Sequence, residues 1–535
     1  MKFRQFSNFY FSLFVGILVS IVSFSCVSVE EYNKRLSQPI SEKDLIKDVN
    51  FVQRKLEKYH PNLYTYISKE ELNRKFDSIR NVLNKPISSQ DFFLLISPVV
   101  ASVKQGHMSM SSPTKRISKK QQKRLAKSGT GPLSQFDFEW MNDKLYVLKN
   151  KSKQKAIVSG TEVVSINAIT PQQLHNKYRK TYASDGLNTT YLKRAFSKRF
   201  SNYLTNEIGI NDSLHYVFRQ NDSLKEIVVS RLKPEKKEKV KKTETTPKVT
   251  DTNPKTDKKV VETKKYKRIF GFDETTKSFS KKLTFVVKDS SIAVLKVKDF
   301  SKGKFRKAYD IVFENLKQKN VKTLVLDLRN NPGGRVADAV DLYSYLTNKD
   351  FQMLEPAQVV SKTSLWKLGM FDKIPKITYP FAAIGYPFYM AFSSLRTKKN
   401  NDGTYTYSLV GSKKQQNKTN YFSGKIYVLI NGNSFSAACL VSAALKENKD
   451  ITFVGEETGG SFNSTVAGLL PVLKLPNSNL YIRIGLMDIG TTNKTAVFGR
   501  GIFPDQEIIP TLKDKIENKD PEMEWILNDI KLKNN

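Results

Sequence analysis

From residue 290 onward the chain alternates apolar, strand-like runs with helix-like segments. "SSIAVLKVKDF" is followed by "KGKFRKAYDIVFENLKQKN", and "VKTLVLDLRNNPGG" by "RVADAVDLYSYLT". "GKIYVLINGNSFSAACLVSAALKEN" repeats the strand, turn, helix order before "ITFVGEETGG" adds one more strand. Strands joined through helices pair in parallel, and strands covered on both faces read as near-continuous apolar runs. The alternation therefore predicts an α/β core with a mostly parallel sheet. In such sheets chemistry gathers beyond the carboxyl ends of the strands, where "NNPGG" and "NGNSFSAA" both fall.

The remainder of the chain divides around this core. With 535 residues, 39% of them hydrophobic, the protein has enough apolar surface for two or three domains. Lys2 and Arg4 precede "FYFSLFVGILVSIVSF", the charge-then-apolar layout of a secretory signal, and the run ends at Cys26 in "SFSC". That ending resembles a bacterial lipobox, so residues 1–26 are expected to be a lipoprotein-type signal with Cys26 lipidated, and a plain signal anchor is the alternative. Either reading places the body outside the cytoplasm, in a bacterial cell envelope, periplasmic or at the outer membrane. Residues 27–112 read as a helical region, since "SEKDLIKDVNFVQRKLEKYHPNLYTYI", "SKEELNRKFDSIRNVLN" and "SSQDFFLLISPVVASV" carry helical apolar spacing behind Ser starts. The last runs into "KQGHMSMSS", a polar turn holding His107. Residues 130–232 alternate like strands around a Gly turn and resemble a PDZ-like module, with "VVSIN" as its strand and a helix beside a peptide groove. Residues 269–515 hold the core, and 516–535 a C-terminal helix or tail.

Charge and cysteine content exclude some functions. The 89 Lys+Arg against 51 Asp+Glu give a formal charge of +38. Its densest part, 233–268, is a Lys-rich, Pro-dotted run with almost no aromatic residue to stack on a base, and reads as a disordered basic linker. No nucleic-acid partner is expected, and attraction to an anionic membrane surface is the simpler use of the charge. Only Cys26 and Cys439 are present, so no Cys-based metal site can form. Neither a metal nor a cofactor is expected.

The turn "NGNSFSAAC" raises a chemical question. A serine between a strand and a helix is exposed at the helix N-terminus, where the dipole and free N–H groups favour developing negative charge. That suits a nucleophile. The N–H of Ala437 and one from the glycines of "NNPGG", Gly333 or Gly334, would serve as two oxyanion donors. The plainer alternative is that Ser434 caps the helix and Ser436 is a first-turn residue. "DLRNNPGG" by itself is likewise compatible with a turn in which Asp327 and Arg329 pair structurally.

Taken in order, "LVLDLRNNPGG", "YVLINGNSFSAA", "FVGEETGG" and "GRGIFPD" resemble the hallmark segments of the tail-specific, or C-terminal processing, serine peptidases. The resemblance is strong over about residues 283–515 and weak in the N-terminal half. It implies a ClpP/crotonase-like α/β core with a PDZ-like module, and cofactor-free endopeptidase cleavage of polypeptides. It places the nucleophile on Ser436, with Ala437 and Gly333 or Gly334 as oxyanion hole. One feature departs: relatives with a Ser–Lys dyad carry lysine where this chain has Ser461. A serine hydroxyl needs a base. The tricorn-like branch uses histidine after the N-terminal helices, and "VKQGHMSM" offers His107 at the matching place. Among the other histidines, His175 and His215 fall on amphipathic segments and His60 at a helix end. Glu457 and Asp488 are the two acids considered as partners of His107, and Lys474 is the amine to consider if His107 is not the base. A secreted or lipid-anchored serine endopeptidase is the leading expectation. A catalytically inactive peptide- or ligand-binding protein on the same fold, and an envelope scaffold using the basic linker, are the alternatives.

Overall fold

The computed structural model describes residues 28–111, 114–234, 263–286, 289–366 and 378–534. The signal run with Cys26 and most of the basic linker lie outside the described residues.

The N-terminal part is helical: α1 (Val29–Ser37), α2 (Glu42–Tyr59), α3 (Lys69–Val82) and α4 (Ser89–Ala101). The Ser starts act as caps, with Ser41, Ser68 and Ser88 each accepting the N–H three residues on, at 3.2, 3.0 and 3.1 Å. A short strand β1 (Ser109–Ser111) and α5 (Lys119–Ser128) follow.

Next comes an antiparallel sheet in chain order, β2 (Phe136–Met141), β3 (Lys144–Asn150), β4 (Glu162–Ile166), β5 (Ser213–Gln220) and β6 (Ser223–Ser230), with α6 (Pro171–Tyr178) and α7 (Thr190–Ile208) inserted between β4 and β5. Its inward residues Leu145, Val147, Val163 and Phe218 are buried, as are Leu174, Phe196 and Phe200 of the two helices.

The core begins with α8 (Lys264–Phe270), a two-residue ribbon β7 (Phe272–Asp273) and β8 (Ser278–Phe279), then β9 (Lys281–Val286), β10 (Asp289–Val297), α9 (Phe305–Gln318), β11 (Thr323–Asp327) and α10 (Val336–Ser344). It continues with β12 (Ala357–Val359), α11 (Tyr379–Arg396), β13 (Thr397–Lys399), β14 (Tyr405–Tyr407), β15 (Lys425–Ile430), α12 (Ala437–Leu445) and β16 (Thr452–Gly455). The chain ends with β17 (Ser464–Ala467), β18 (Val472–Lys474), β19 (Tyr481–Arg483), β20 (Met487–Gly490), β21 (Gln506–Glu507), α13 (Leu512–Glu517) and α14 (Pro521–Asn534). The main sheet has the order β21-β16-β15-β11-β10-β9; every pair is parallel except the edge pair β9–β10.

Both faces of this sheet are covered, as its apolar runs require. Leu324, Leu326, Val428 and Ile430 face the large core with α9, α10 and α12, while Val325, Tyr427 and Leu429 pack with Ile526 and Ile530 of α14. The period-two alternation of β15 thus serves two different apolar layers. A second sheet, β13-β14-β12-β20-β17, and a third, β1-β19-β18, stand against the core. The third joins the N-terminal part to the core: β1 pairs with β19 through Ser109 and Arg483. A buried ion pair, Lys281 Nζ to Asp338 at 3.0 Å, crosses the interior and is completed by the Tyr309 hydroxyl at 2.7 Å from Asp338.

Candidate active site

β15 ends at Ile430, and the next six residues turn into α12. Ser436 occupies the N-cap position of that helix with φ 56° and ψ −123°, a left-handed conformation unusual for a residue with a side chain. Its hydroxyl makes no capping bond. Ser434 is turned the other way: its buried Oγ donates to Leu328 O at 2.8 Å and accepts the Asn431 N–H at 3.0 Å. The alternative in which Ser434 caps the helix and Ser436 sits in its first turn does not describe this geometry. Ser434 holds the turn together, and the strained backbone presents Ser436, which is half-buried.

The "NNPGG" loop, from the end of the neighbouring strand β11, is stitched to this turn. The Phe435 N–H donates to Asn331 O at 2.9 Å, Asn330 N–H to Asn431 Oδ1 at 3.0 Å, and Asn433 Nδ2 to Asn330 Oδ1 at 2.8 Å. Glycine at 333 has a physical reason. With φ 93°, a Cβ there would stand 2.6 Å from Ser436 Cβ and 2.8 Å from Ala437 N. The two glycines are not equivalent as donors, because the Gly333 N–H is donated to Asn331 Oδ1 at 2.8 Å. The Phe300 N–H donates to Gly333 O, and Arg335 N–H to Phe300 O, so the Gly334 N–H is not used in that bridge. Ala437 N–H, first in α12, has no intrahelical acceptor. Asp327 and Arg329 are paired at 3.0 Å, and Arg329 also reaches Asp520 at 2.7 Å, which ties the strand end to the start of α14.

His107 sits between α4 and β1, and its backbone carbonyl accepts from Arg483 Nε at 2.7 Å. The imidazole packs against Phe435, the residue before Ser436, with ring centroids 5.3 Å apart. No hydrogen bond joins His107 to Ser436 among the described residues. His107 Nδ1 is instead 3.2 Å from Thr465 Oγ1 on β17, and Thr465 Oγ1 is 3.1 Å from Asp185 Oδ2. Asp185 is 1% exposed and accepts the Gly106 N–H at 2.8 Å. Burial pushes its carboxyl up to about 6, against hydrogen bonds from Gly106 and Thr465 that favour the charged form. At neutral pH it is ionised and only accepts, so Thr465 must donate to it and is left to accept from His107 Nδ1–H. Nε2 then carries the free lone pair. Burial, with a smaller effect of the Arg483 charge, pushes the imidazole down to about 4, so it is neutral at pH 7.

The two acids considered from sequence are engaged elsewhere. Glu457 is held by Arg500 at 3.0 and 2.6 Å and by the Gly501 N–H at 2.8 Å. Asp488 accepts from Asn62 Nδ2 at 2.6 Å. Neither makes a hydrogen bond to His107 among the described residues; the acid linked to it is Asp185, through Thr465. Nothing in "TYASDGLNTT" marks Asp185 beyond an ordinary turn, and the signal was absent because the link is entirely tertiary. The same loop docks on the "EETGG" segment through Ser184 Oγ to Gly459 O and Asn188 Nδ2 to Thr458 O, both 2.6 Å. Ser461 is buried, and Tyr66 bonds its side chain. Lys474 stands exposed on β18, separated from β1 by β19. His60 ends α2 and is buried, His175 packs on Trp140, and His215 pairs with Glu226.

A serine on a strained strand-to-helix turn, at the carboxyl edge of a mostly parallel sheet and beside a glycine loop, is the arrangement of the serine-type α/β peptidases. Residues 291–508 match the model of peptidase family S41, so this part of the chain is similar to the tail-specific, or C-terminal processing, peptidases. A curated relative is the carboxy-terminal processing protease CtpA of Bacillus subtilis (strain 168), 23% identical over an alignment of 260 residues that covers 43% of this chain. The match spans 45% of that relative's length. Among solved structures, mature CPAF complexed with lactacystin superposes with a TM-score of 0.58 at 16% identity, covering 92% of this chain and 98% of that one. Mature CPAF superposes at 0.55 and 15% identity, covering 89% and 94%. At such identities the likeness is one of fold.

Proposed function

We propose that the protein is a serine endopeptidase in which Ser436 attacks the scissile carbonyl and His107 Nε2 takes its proton. The observation that carries this reading is the backbone of Ser436: strain at a non-glycine residue, with the side chain freed from capping, is how a fold presents a nucleophile. Thr465 and Asp185 orient the imidazole and stabilise the charge it gains, the part played by the acid in a Ser–His–acid triad. The tetrahedral oxyanion is held by Ala437 N–H and a glycine N–H, and Gly334 supports this better than Gly333, whose N–H is committed to Asn331. His107 and Ser436 come into hydrogen-bond reach as substrate displaces Phe435, since catalytic contacts often tighten only in the Michaelis complex. The sheet of residues 130–232 fits a PDZ-like, peptide-holding role, and the signal run with Cys26 fits a lipid-anchored envelope protein acting on polypeptides.

A fluorophosphonate probe tests the site directly. We expect stoichiometric labelling of Ser436, none in Ser436→Ala, and slowing by about 10²-fold or more in His107→Ala. The double variant should hydrolyse an unfolded polypeptide no worse than either single one, because the two residues act as a unit. A folded protein that binds peptides but takes no label would instead be an inactive binding protein on this fold.

A further inference from the structure

α11 presents its apolar side to solvent. Ile384, Phe388, Phe392 and Leu395 are 70, 76, 52 and 83% exposed, and Ala391 is exposed between them. Steps of four, three, one and three residues place all five within a stripe about 100° wide on one helix face. The polar groups point the opposite way. Tyr389 OH donates to Leu365 O at 2.9 Å, the Tyr386 hydroxyl to Trp366 O, and Ser394 Oγ accepts from Trp366 Nε1 at 3.1 Å. A surface helix of a water-soluble domain has the reverse polarity, so this stripe requires an apolar neighbour.

The charge around it selects that neighbour. α11 carries no acidic residue from Tyr379 to Arg396. Its C-terminal Arg396 lies 5.2 Å from the Phe392 ring, and exposed Lys398 and Lys399 follow on β13. Asp402, the acid in the β13–β14 turn, is bonded to Thr404. An apolar stripe bearing Phe, Ile and Leu with cations at its rim, on a chain of net charge +38, is complementary to an anionic bilayer surface. No helix among the described residues is long and apolar enough to cross a membrane, so α11 would lie in the interface rather than span it.

We infer that α11 is a monotopic docking helix that seats its Ile384–Phe388–Phe392–Leu395 face in the headgroup–acyl boundary of an anionic membrane. The geometry has a consequence for substrate. α11 leads directly into β13, one edge of the β13-β14-β12-β20-β17 sheet, and Thr465 stands on β17 at the other edge. Four strand spacings separate them by about 19 Å. Docking would seat one edge of this sheet at the lipid while the His107–Thr465 region stands at its other edge, suited to extended polypeptide next to a membrane. This consequence rests on the peptidase reading; the docking itself does not.

Backbone hydrogen exchange of the full-length chain reads α11 separately from any N-terminal anchor. With phosphatidylglycerol-containing vesicles, the amides of residues 379–396 should slow by about tenfold or more relative to vesicle-free protein, with a smaller effect on pure phosphatidylcholine and reversal by salt. In Phe388→Glu/Phe392→Glu the slowing should vanish while probe labelling of Ser436 stays at wild-type rate. As a second readout, Phe388→Trp emission should be quenched by brominated phosphatidylglycerol. Three results would overturn the inference: unchanged exchange on vesicles, protection that grows with protein concentration without lipid and marks a second copy, or protection by unfolded polypeptide alone.

Discussion

Asp185 and His107 titrate in opposite senses from their ordinary values, and that difference makes the acid limb of activity diagnostic. Asp185 is raised by burial to about 6 and His107 lowered by burial to about 4. As pH falls through about 6, Asp185 takes a proton, Thr465 is no longer obliged to donate to it, and the imidazole loses its fixed tautomer. As pH falls further through about 4, His107 itself is protonated and the proposed base is lost. The kcat/KM profile for a peptide substrate should therefore drop in two stages, and Asp185→Asn should remove the upper one, at a cost of about 10- to 100-fold in rate at pH 7. A single limb at 6.5 would contradict this wiring. The signs for stability also differ. His107, depressed below its ordinary 6.5, favours the fold above that pH and loses the contribution as pH falls towards about 4. Asp185, raised above 3.8, instead costs stability as pH rises through about 6.

In the proposed mechanism two strand-end turns carry the chemistry, and their register depends on glycine. Gly333→Ala would add a Cβ against Ser436 Cβ and backbone, not against a flexible side-chain tip, and at φ 93°. The loop must then retreat from α12. We expect probe labelling to fall by about 10²-fold or more while strain of order 1–3 kcal/mol lowers stability. Labelling at wild-type rate would show that the glycine loop does not set the position of Ser436. Within the same core, Asp338→Ala leaves Lys281 buried and unpaired. It should cost about 3–5 kcal/mol in denaturant unfolding without changing the acid limb of activity.

The N-terminal half brings His107 and Asp185 up to the Phe435 and Thr465 side chains of the C-terminal half, where the proposed nucleophile lies. His107 arrives on the α4–β1 connection, pinned by β19, and Asp185 on the loop between α6 and α7. The sheet's second face depends equally on a distant segment, since Ile526 and Ile530 of α14 cover Val325, Tyr427 and Leu429. Ile526→Ala should destabilise the protein by about 2–5 kcal/mol, measured by thermal or denaturant unfolding. Because α14 also meets Arg329 at the end of β11 through Asp520, removing residues 519–535 should reduce labelling of Ser436 as well as stability. An active, equally stable truncation would show that the core stands without its second cover.

Local pattern was enough for the N-terminal helices and the parallel strands of the core, and it singled out the serine turn and the glycine loop. Continuous apolar runs separated by helical periods specify a mostly parallel sheet, Ser starts specify helix caps, and the serine turn and glycine loop announce themselves because both are contiguous motifs at strand ends. The chain itself could not say which serine faces the substrate. Ser434 and Ser436 differ only in a backbone twist and in whether Leu328 O is within reach. Nor could it choose the acid, because Asp185, Thr465 and His107 lie far apart in sequence and meet only when two loops and strand β17 pack together. Glu457 and Asp488 stand near recognisable motifs, yet their partners are Arg500 and Asn62. Contiguous features follow from backbone periodicity and residue chemistry, which act over a few residues; the His107–Thr465–Asp185 link is set by contacts between distant segments, which only the packed tertiary structure decides.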